Sequence, residues 1–141
     1  MIFVTGATGF IGTNLVRKLV GRGYQVTCLV RKTSDLSELK SLKVIIKYGD
    51  VKDKKSIEEG FNNADIIIHL AGVTSEQTSD LNVSRETNVQ GTRNTLEVAT
   101  EHKVSRFVYL SSESTKRKVK GAYAQTKLEC DQLIKKSSVP Y

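Results

Sequence analysis

Short apolar runs rich in β-branched residues alternate along the chain with stretches whose apolar residues recur every three or four positions. That order predicts βαβ units and a parallel sheet. The strand candidates are Ile2 to Thr5, Gln25 to Val30, Val44 to Tyr48, Asp65 to Leu70 and Arg106 to Ser111. None alternates strictly between apolar and polar, as expected for strands covered by helices on both faces. Ile11, Leu15, Leu19 and Val20 recur at helical spacing as far as Gly21 and Gly23, which can end a helix. The same spacing predicts a long helix from about Asn82 to His102 and another from about Ala122 to Lys136. Shorter helices are expected at Asp35 to Lys40 and at Asp53 to Phe61, the second opened by Asp53 as its N-cap. The fold class that follows is α/β, a doubly wound parallel sheet in a three-layer αβα sandwich. At the far end, Ser137-Ser138-Val139-Pro140-Tyr141 reads as the lead into a sixth strand, so a longer protein is expected.

With 141 residues there is room for one domain with a real core. At 38% hydrophobic and 26% charged residues, the composition is that of an ordinary globular domain and excludes a disordered chain. No apolar stretch approaches the roughly 20 residues that cross a bilayer, so no membrane contact is expected. Met1 to Gly6 carries no basic region ahead of its apolar residues, which argues against a cleaved signal peptide and for the cytoplasm. Cys28 and Cys130 are too few for a disulfide framework or a zinc site and read as core fillers, so no metal is expected. The net charge of +7 gathers at Lys52, Lys54 and Lys55 and again at Lys116, Arg117, Lys118 and Lys120. Neither group has interleaved aromatics for stacking bases, which favours solvated lysine-rich loops over a nucleic-acid surface.

The sharpest local signal is Thr5-Gly6-Ala7-Thr8-Gly9-Phe10-Ile11-Gly12, directly after the first strand and opening the first helix. Gly6 allows a tight turn, Gly9 lets backbone amides approach a pyrophosphate, and Gly12 permits close packing of helix on strand. The helix N-terminus then faces the phosphates. Glycine-rich turns also end strands for purely structural reasons, but the strand-turn-helix context favours phosphate binding. Gly6, Thr8, Gly9, Phe10, Ile11 and Gly12 are therefore candidate cofactor residues.

This G-x-x-G-x-x-G spacing resembles the glycine motif of the short-chain dehydrogenases/reductases, most of all their extended or atypical branch of NAD-dependent epimerases and dehydratases. Further matching pieces follow in order: Gly49-Asp50-Val51, His69-Leu70-Ala71-Gly72, Asn88-Val89-Gln90-Gly91-Thr92, Arg106 to Ser112, and Tyr123-Ala124-Gln125-Thr126-Lys127. The resemblance spans essentially the whole chain. It implies a Rossmann-type NAD(P)-binding domain over residues 1–141, standing before a C-terminal substrate-binding part. It further implies that Asp50 bonds the adenine amino group, that Val51 packs beside the ring, and that Leu70, Ala71 and Gly72 run past the adenosine ribose. Asn88 matches a helix asparagine on the cofactor side, more a structural support than a reactant.

An NAD-specific site usually carries an acid about 20 positions past the glycine turn, to bind the ribose 2′-hydroxyl. Here Val30-Arg31-Lys32 stands instead, and the first acid is Asp35. Arg31 can clamp a 2′-phosphate bidentately and Lys32 can add a point charge, which favours NADP over NAD. Tyr123 and Lys127 lie one helical turn apart and so share a face. With Ser112 they resemble the family's Ser-Tyr-Lys constellation, which implies catalytic roles for all three. Carbonyl reduction needs a proton donor to the developing alkoxide. A free tyrosine titrates near pH 10, so a phenolate at neutral pH needs about 4 kcal/mol of stabilisation, which a neighbouring ammonium helps to supply. In the family the lysine also holds the nicotinamide ribose, and Ser112, preferred over Ser111, stabilises the substrate oxygen.

After Ser112 the usual Val-Tyr-Gly of sugar epimerases is replaced by Glu113-Ser114-Thr115, and the step to Tyr123 is short. The expected partner is a small carbonyl, alcohol or nucleotide-sugar substrate, with a homodimer left open as the assembly. The alternative is a cofactor sensor or assembly protein that keeps the fold without catalysis; the retained Tyr123 and Lys127 weigh toward the enzyme.

Overall fold

The computed structural model describes residues 1–141. Five strands form one parallel sheet: β1 (Ile2–Thr5), β2 (Val26–Val30), β3 (Ile45–Tyr48), β4 (Ile66–His69) and β5 (Arg106–Tyr109). Their order is β3-β2-β1-β4-β5. The direction of winding reverses between β1 and β4, and ligands of open α/β sheets bind at such a switch point, outside the carboxyl ends of the strands. In the register, Thr5 lies beside Leu29 on one side and His69 on the other, so the ends of the central strands are level.

The absence of alternation in the strands has a direct cause. Phe3 points into a core with Leu29, Ile57, Phe61, Ile67, Phe107 and Ile134, under α3 (Lys54–Phe61), α5 (Gly91–Glu101) and α6 (Ala122–Lys136). Its neighbours Ile2 and Val4 point the other way, into a core with Val16, Cys28, Leu39 and Ile68 beneath α1 (Phe10–Gly21) and α2 (Ser37–Lys40). Both faces are apolar because both are covered. Cys28 lies wholly inside the second core, and burial pushes its thiol up to about 12.

The predicted elements are all present, β1 and α6 with the expected bounds and most of the others shorter. Asp53 caps α3 by accepting from the Lys55 amide at 3.0 Å. Asp35 stands outside α2 and accepts from the Ser37 amide instead of opening the helix. Strand β5 stops at Tyr109, leaving Leu110, Ser111 and Ser112 in a loop. The expected long helix is three pieces: α4 (Leu81–Ser84), a π-helical turn over Arg85–Gln90, and α5. Asp80 opens it, its Oδ1 accepting from the amides of Asn82 and Val83. Past α6, the carbonyl of Pro140 accepts from the Phe107 amide at 2.7 Å, on the outer side of β5. No helix is long and apolar enough to cross a membrane.

Candidate cofactor and active site

A cleft of about 360 Å³ opens at the carboxyl ends of the strands, lined on its floor by Gly6, Thr8 and Gly9. Gly6 has φ +72°, and a Cβ there would come within 2.6 Å of the Ala71 backbone nitrogen, so only glycine fits between β1 and the exit of β4. A Cβ on Gly12 would lie 2.1 Å from the Gly6 carbonyl oxygen, because α1 starts directly against the turn. Gly9 differs: its backbone is extended, and the nearest atom to an added Cβ is 3.4 Å away, so the space beside it belongs to the cleft. No side chain caps α1 and no acid stands in its first turn. The amides of Phe10, Ile11 and Gly12 find no acceptor in the chain. Free amides and the positive end of the helix dipole suit an anion, so the cradle fits a dinucleotide's pyrophosphate.

The outer wall of the cleft comes from the ends of β2 and β3. Arg31 and Ser34 line it, joined by a turn in which the Ser34 amide donates to the Arg31 carbonyl at 3.0 Å. Lys32 is exposed and lies outside this lining. Asp50, Val51 and Lys52 close the wall. Ser56 fixes Asp50, accepting from its amide at 3.0 Å and donating to its carbonyl at 2.9 Å. Buried Asn94 donates to the Val51 carbonyl at 2.8 Å, which holds the apolar side chain of Val51 against the cleft.

Leu70, Ala71, Gly72 and Val73 form the inner wall. Asn88, on the π-helical turn, pairs with the backbone of Val73 twice: its Oδ1 accepts from the amide at 2.7 Å and its Nδ2 donates to the carbonyl at 3.1 Å. The same Nδ2 donates to Thr126 Oγ1 on α6 at 2.9 Å. Below the wall lies His69, fully buried, with Nδ1 2.7 Å from Thr5 Oγ1 and Nε2 3.1 Å from Thr92 Oγ1. Burial pushes its imidazole down to about 3, and the Lys127 charge adds to the shift.

Lys127 rises from α6 as a buried ammonium that donates to the Leu110 carbonyl at 2.7 Å. It sits 4.3 Å above the Tyr109 ring centre and 5.9 Å from that of Tyr123, with no carboxylate within 4 Å. Burial holds it below the usual lysine range, with Cys130 and Asp131 acting against the shift. The Tyr109 hydroxyl is buried against the Cys130 thiol without a well-formed hydrogen bond, and burial, with Cys130 adding to it, drives its pKa far upward. Ser112 N-caps a short 3₁₀ turn (Glu113–Lys116), its Oγ lying 2.8 Å from Ser114 Oγ. Ser111 is committed to Asp131, donating at 2.8 Å.

Residues 2–141 match the model of the NAD dependent epimerase/dehydratase family. The chain belongs to that family. Among relatives of this epimerase/dehydratase-family chain, Sterol demethylase protein B of Methylococcus capsulatus is 38% identical over 109 residues, covering 77% of this chain and 33% of that protein. The photosystem II assembly factor Ycf39 of Cyanidium caldarium is 30% identical over 140 residues, covering 99% of this chain and 44% of that one. The chain thus spans a third to a half of the length of these curated relatives. Among solved structures, the Bordetella bronchiseptica enzyme WbmG in complex with NAD superposes with TM-score 0.88 at 21% identity, over 99% of this chain and 50% of that one. This likeness extends to the fold of the epimerase/dehydratase-family domain.

Within that fold, Gly6, Thr8, Gly9, Arg31, Asp50, Val51, Leu70, Ala71 and Gly72 converge on one cleft. Phe10 and Ile11 present amides while their side chains point outward, 87% and 51% exposed. Tyr123 and Lys127 meet on α6. Ser34, Lys52, Gln77 and Thr87 also line the cleft and were not among the expected cofactor residues, Lys52 having been read only as part of a solvated basic cluster. Ser34 and Lys52 could have been found by their place just beyond two predicted strand ends; Gln77 and Thr87 carry no such signal.

Proposed function

We propose that this chain is the NADP-binding part of an oxidoreductase or epimerase that moves hydride between a nicotinamide cofactor and a substrate carbonyl or carbinol. The observation that carries the reading is Lys127, a buried ammonium with no acidic partner, on the same helix face as Tyr123. Structure without function rarely retains such a group, because taking an ammonium out of water costs several kcal/mol, which one carbonyl contact offsets only in part. In this reading Tyr123 gives its phenolic proton to the developing alkoxide or takes it from an alcohol. Lys127 steadies the phenolate and holds the ribose hydroxyls, and Ser112 turns its hydroxyl from Ser114 to the substrate oxygen. The bound cofactor supplies the hydride. Gly6, Thr8, Gly9 and the amides of Phe10 and Ile11 hold the pyrophosphate, Gly12 keeps α1 close, and Asp50, Val51 and Leu70 to Gly72 hold the adenosine. Arg31 binds the 2′-phosphate, with the Ser34 hydroxyl beside it and Lys32 contributing only at longer range. Asn88 acts on the cofactor through Val73. The reactant is a small carbonyl, alcohol or nucleotide sugar, completed by a C-terminal part.

A second reading is supported by the likeness to a photosystem II assembly factor: a cofactor-binding protein without turnover. One experiment separates the two. In the full-length protein NADPH is expected to bind at least about tenfold more tightly than NADH, since one charge-assisted contact contributes about 1.5 to 3 kcal/mol. Tyr123→Phe should lower single-turnover rates on a panel of aldehydes, ketones and nucleotide sugars by about 10² or more at unchanged NADPH affinity. Lys127→Ala should lower both. Equal binding of NADH overturns the NADP assignment, and full turnover by Tyr123→Phe favours the second reading.

A further inference from the structure

We propose that the loop between Ser112 and Tyr123 is the binding site for an anionic group, a phosphate or a carboxylate, carried by the substrate. The inference rests on the placement of the reacting end at Tyr123 and Lys127 and names the class of molecule that end receives. Between Ser112 and Tyr123 the chain carries four basic residues, Lys116, Arg117, Lys118 and Lys120, against a single acid, Glu113.

The molecule's other basic cluster shows what neutralised lysines look like. There Lys54 reaches Glu101 at 2.6 Å, Glu97 at 3.5 Å and Glu58 at 3.6 Å, and Lys55 reaches Glu59 at 3.8 Å. In the loop only Lys116 has a partner, Glu113 at 3.1 Å, and both side chains are largely exposed. Such a pair contributes little. Arg117, Lys118 and Lys120 meet no carboxylate within 4 Å.

The loop is also held rather than trailing. At its start Thr115 Oγ1 donates to the Ser112 carbonyl at 2.8 Å, and the Ser114 amide donates to Ser112 Oγ at 3.2 Å. At its end Gln125 on α6 donates to the Lys120 carbonyl at 2.9 Å, and Lys120 Nζ donates to the Arg117 carbonyl at 2.6 Å. Four like charges within five residues of a held loop repel one another, and an anion placed among them relieves that repulsion. Arg117 offers a planar fork for a phosphate or carboxylate, and Lys118, one residue on, adds a point charge to the same loop. No aromatic residue lies between Tyr109 and Tyr123 to stack a base, so the surface suits a small anion rather than a nucleic acid. A carbonyl compound bearing such a group should be preferred over an uncharged one of the same size.

The test uses the full-length protein saturated with NADPH, so that the glycine turn is occupied, and titrates inorganic pyrophosphate and malonate as separate probes. The triple variant Lys116→Gln, Arg117→Gln, Lys118→Gln alters exposed side chains only and should melt as the wild type does. It is expected to bind at least one probe about tenfold or more weakly, with a flatter salt dependence, while its NADPH affinity stays within about twofold. Greater loss for pyrophosphate assigns a phosphate, and greater loss for malonate a carboxylate. Equal binding by variant and wild type, or no binding of either probe by the wild type up to about 10 mM, overturns the proposal. If NADPH itself fails to bind, the cofactor reading falls alone. The titrations are then repeated in a Gly9→Val background, where the loop is judged by the same criterion.

Discussion

At the β1 end of the sheet the candidate site is made of main chain: a turn at Gly6, free amides at Phe10 to Gly12, and a clear space beside Gly9. At the β5 end it is made of side chains: Tyr123 and Lys127 on one helix, Tyr109 beneath them, and Ser112 at the head of a loop. The first half needs only the absence of a Cβ at three positions. The second needs several side chains brought together by elements far apart in sequence, Lys127 of α6 lying 4.3 Å from the ring centre of Tyr109 on β5. A backbone site is therefore broken by adding an atom, and a side-chain site by removing one.

The largest expected effect tests the first half. Gly9→Val leaves an extended backbone that valine accepts, so the fold and melting temperature should stay near those of the wild type. The branched side chain fills the phosphate space, and dinucleotide affinity should fall by about 100-fold or more, read by calorimetric titration. Undiminished affinity would mean that the turn is structural and that the contrast between the halves is mistaken.

Next comes the seam between them, where His69 joins Thr5 of β1 to Thr92 of α5. Its imidazole is neutral in the fold down to about 3, whereas an unfolded histidine titrates near 6.5. Below pH 6.5 the unfolded chain takes up a proton that the folded one refuses. Its contribution is thus complete above pH 6.5 and is lost as pH falls toward 3, with a slope approaching about 1.4 kcal/mol per pH unit. Urea unfolding between pH 7 and pH 4 reads this slope, and His69→Gln should flatten it; identical slopes would remove His69 from the account.

The smallest effect belongs to the second half. Tyr109→Phe keeps the ring 4.3 Å beneath Lys127 and deletes a buried hydroxyl that faces the Cys130 thiol, a weak partner, and no other acceptor. It should stabilise the protein by about 1 kcal/mol, raising the melting temperature by a few degrees. Destabilisation would show that the hydroxyl holds a polar contact after all.

This division also explains what could be read in advance. The glycine turn was legible because strand, turn and helix meet within eight consecutive residues, Thr5 to Gly12. The strands were legible because burial on both faces leaves unbroken apolar runs. Asn88 was placed on a helix, but its partners Val73 and Thr126 lie 15 and 38 residues away, and no local pattern announces them. Arg31 and Lys32 look alike in sequence, yet only Arg31 lines the cleft, because the chain turns directly after it, closed by the Ser34 amide on the Arg31 carbonyl. Lys54 and Lys55 were expected on the helix from Asp53 to Phe61, but their pairing with glutamates four residues on and on α5 was hidden behind the reading of their charge as solvated.

The π-helical turn sets the register of the helix on either side of it. A turn closed at i→i+5 is an α-helix with one residue inserted, and each residue advances a helix by about 100°. Losing one residue from Arg85–Gln90 would leave every strand and the whole glycine turn untouched. It would still swing Asn88 about a quarter of a circle away from Val73 and Thr126, parting the wall of the cleft from the helix that bears Tyr123 and Lys127. A descendant with that single deletion would keep the fold and the cofactor's cradle and lose the mechanical link between them.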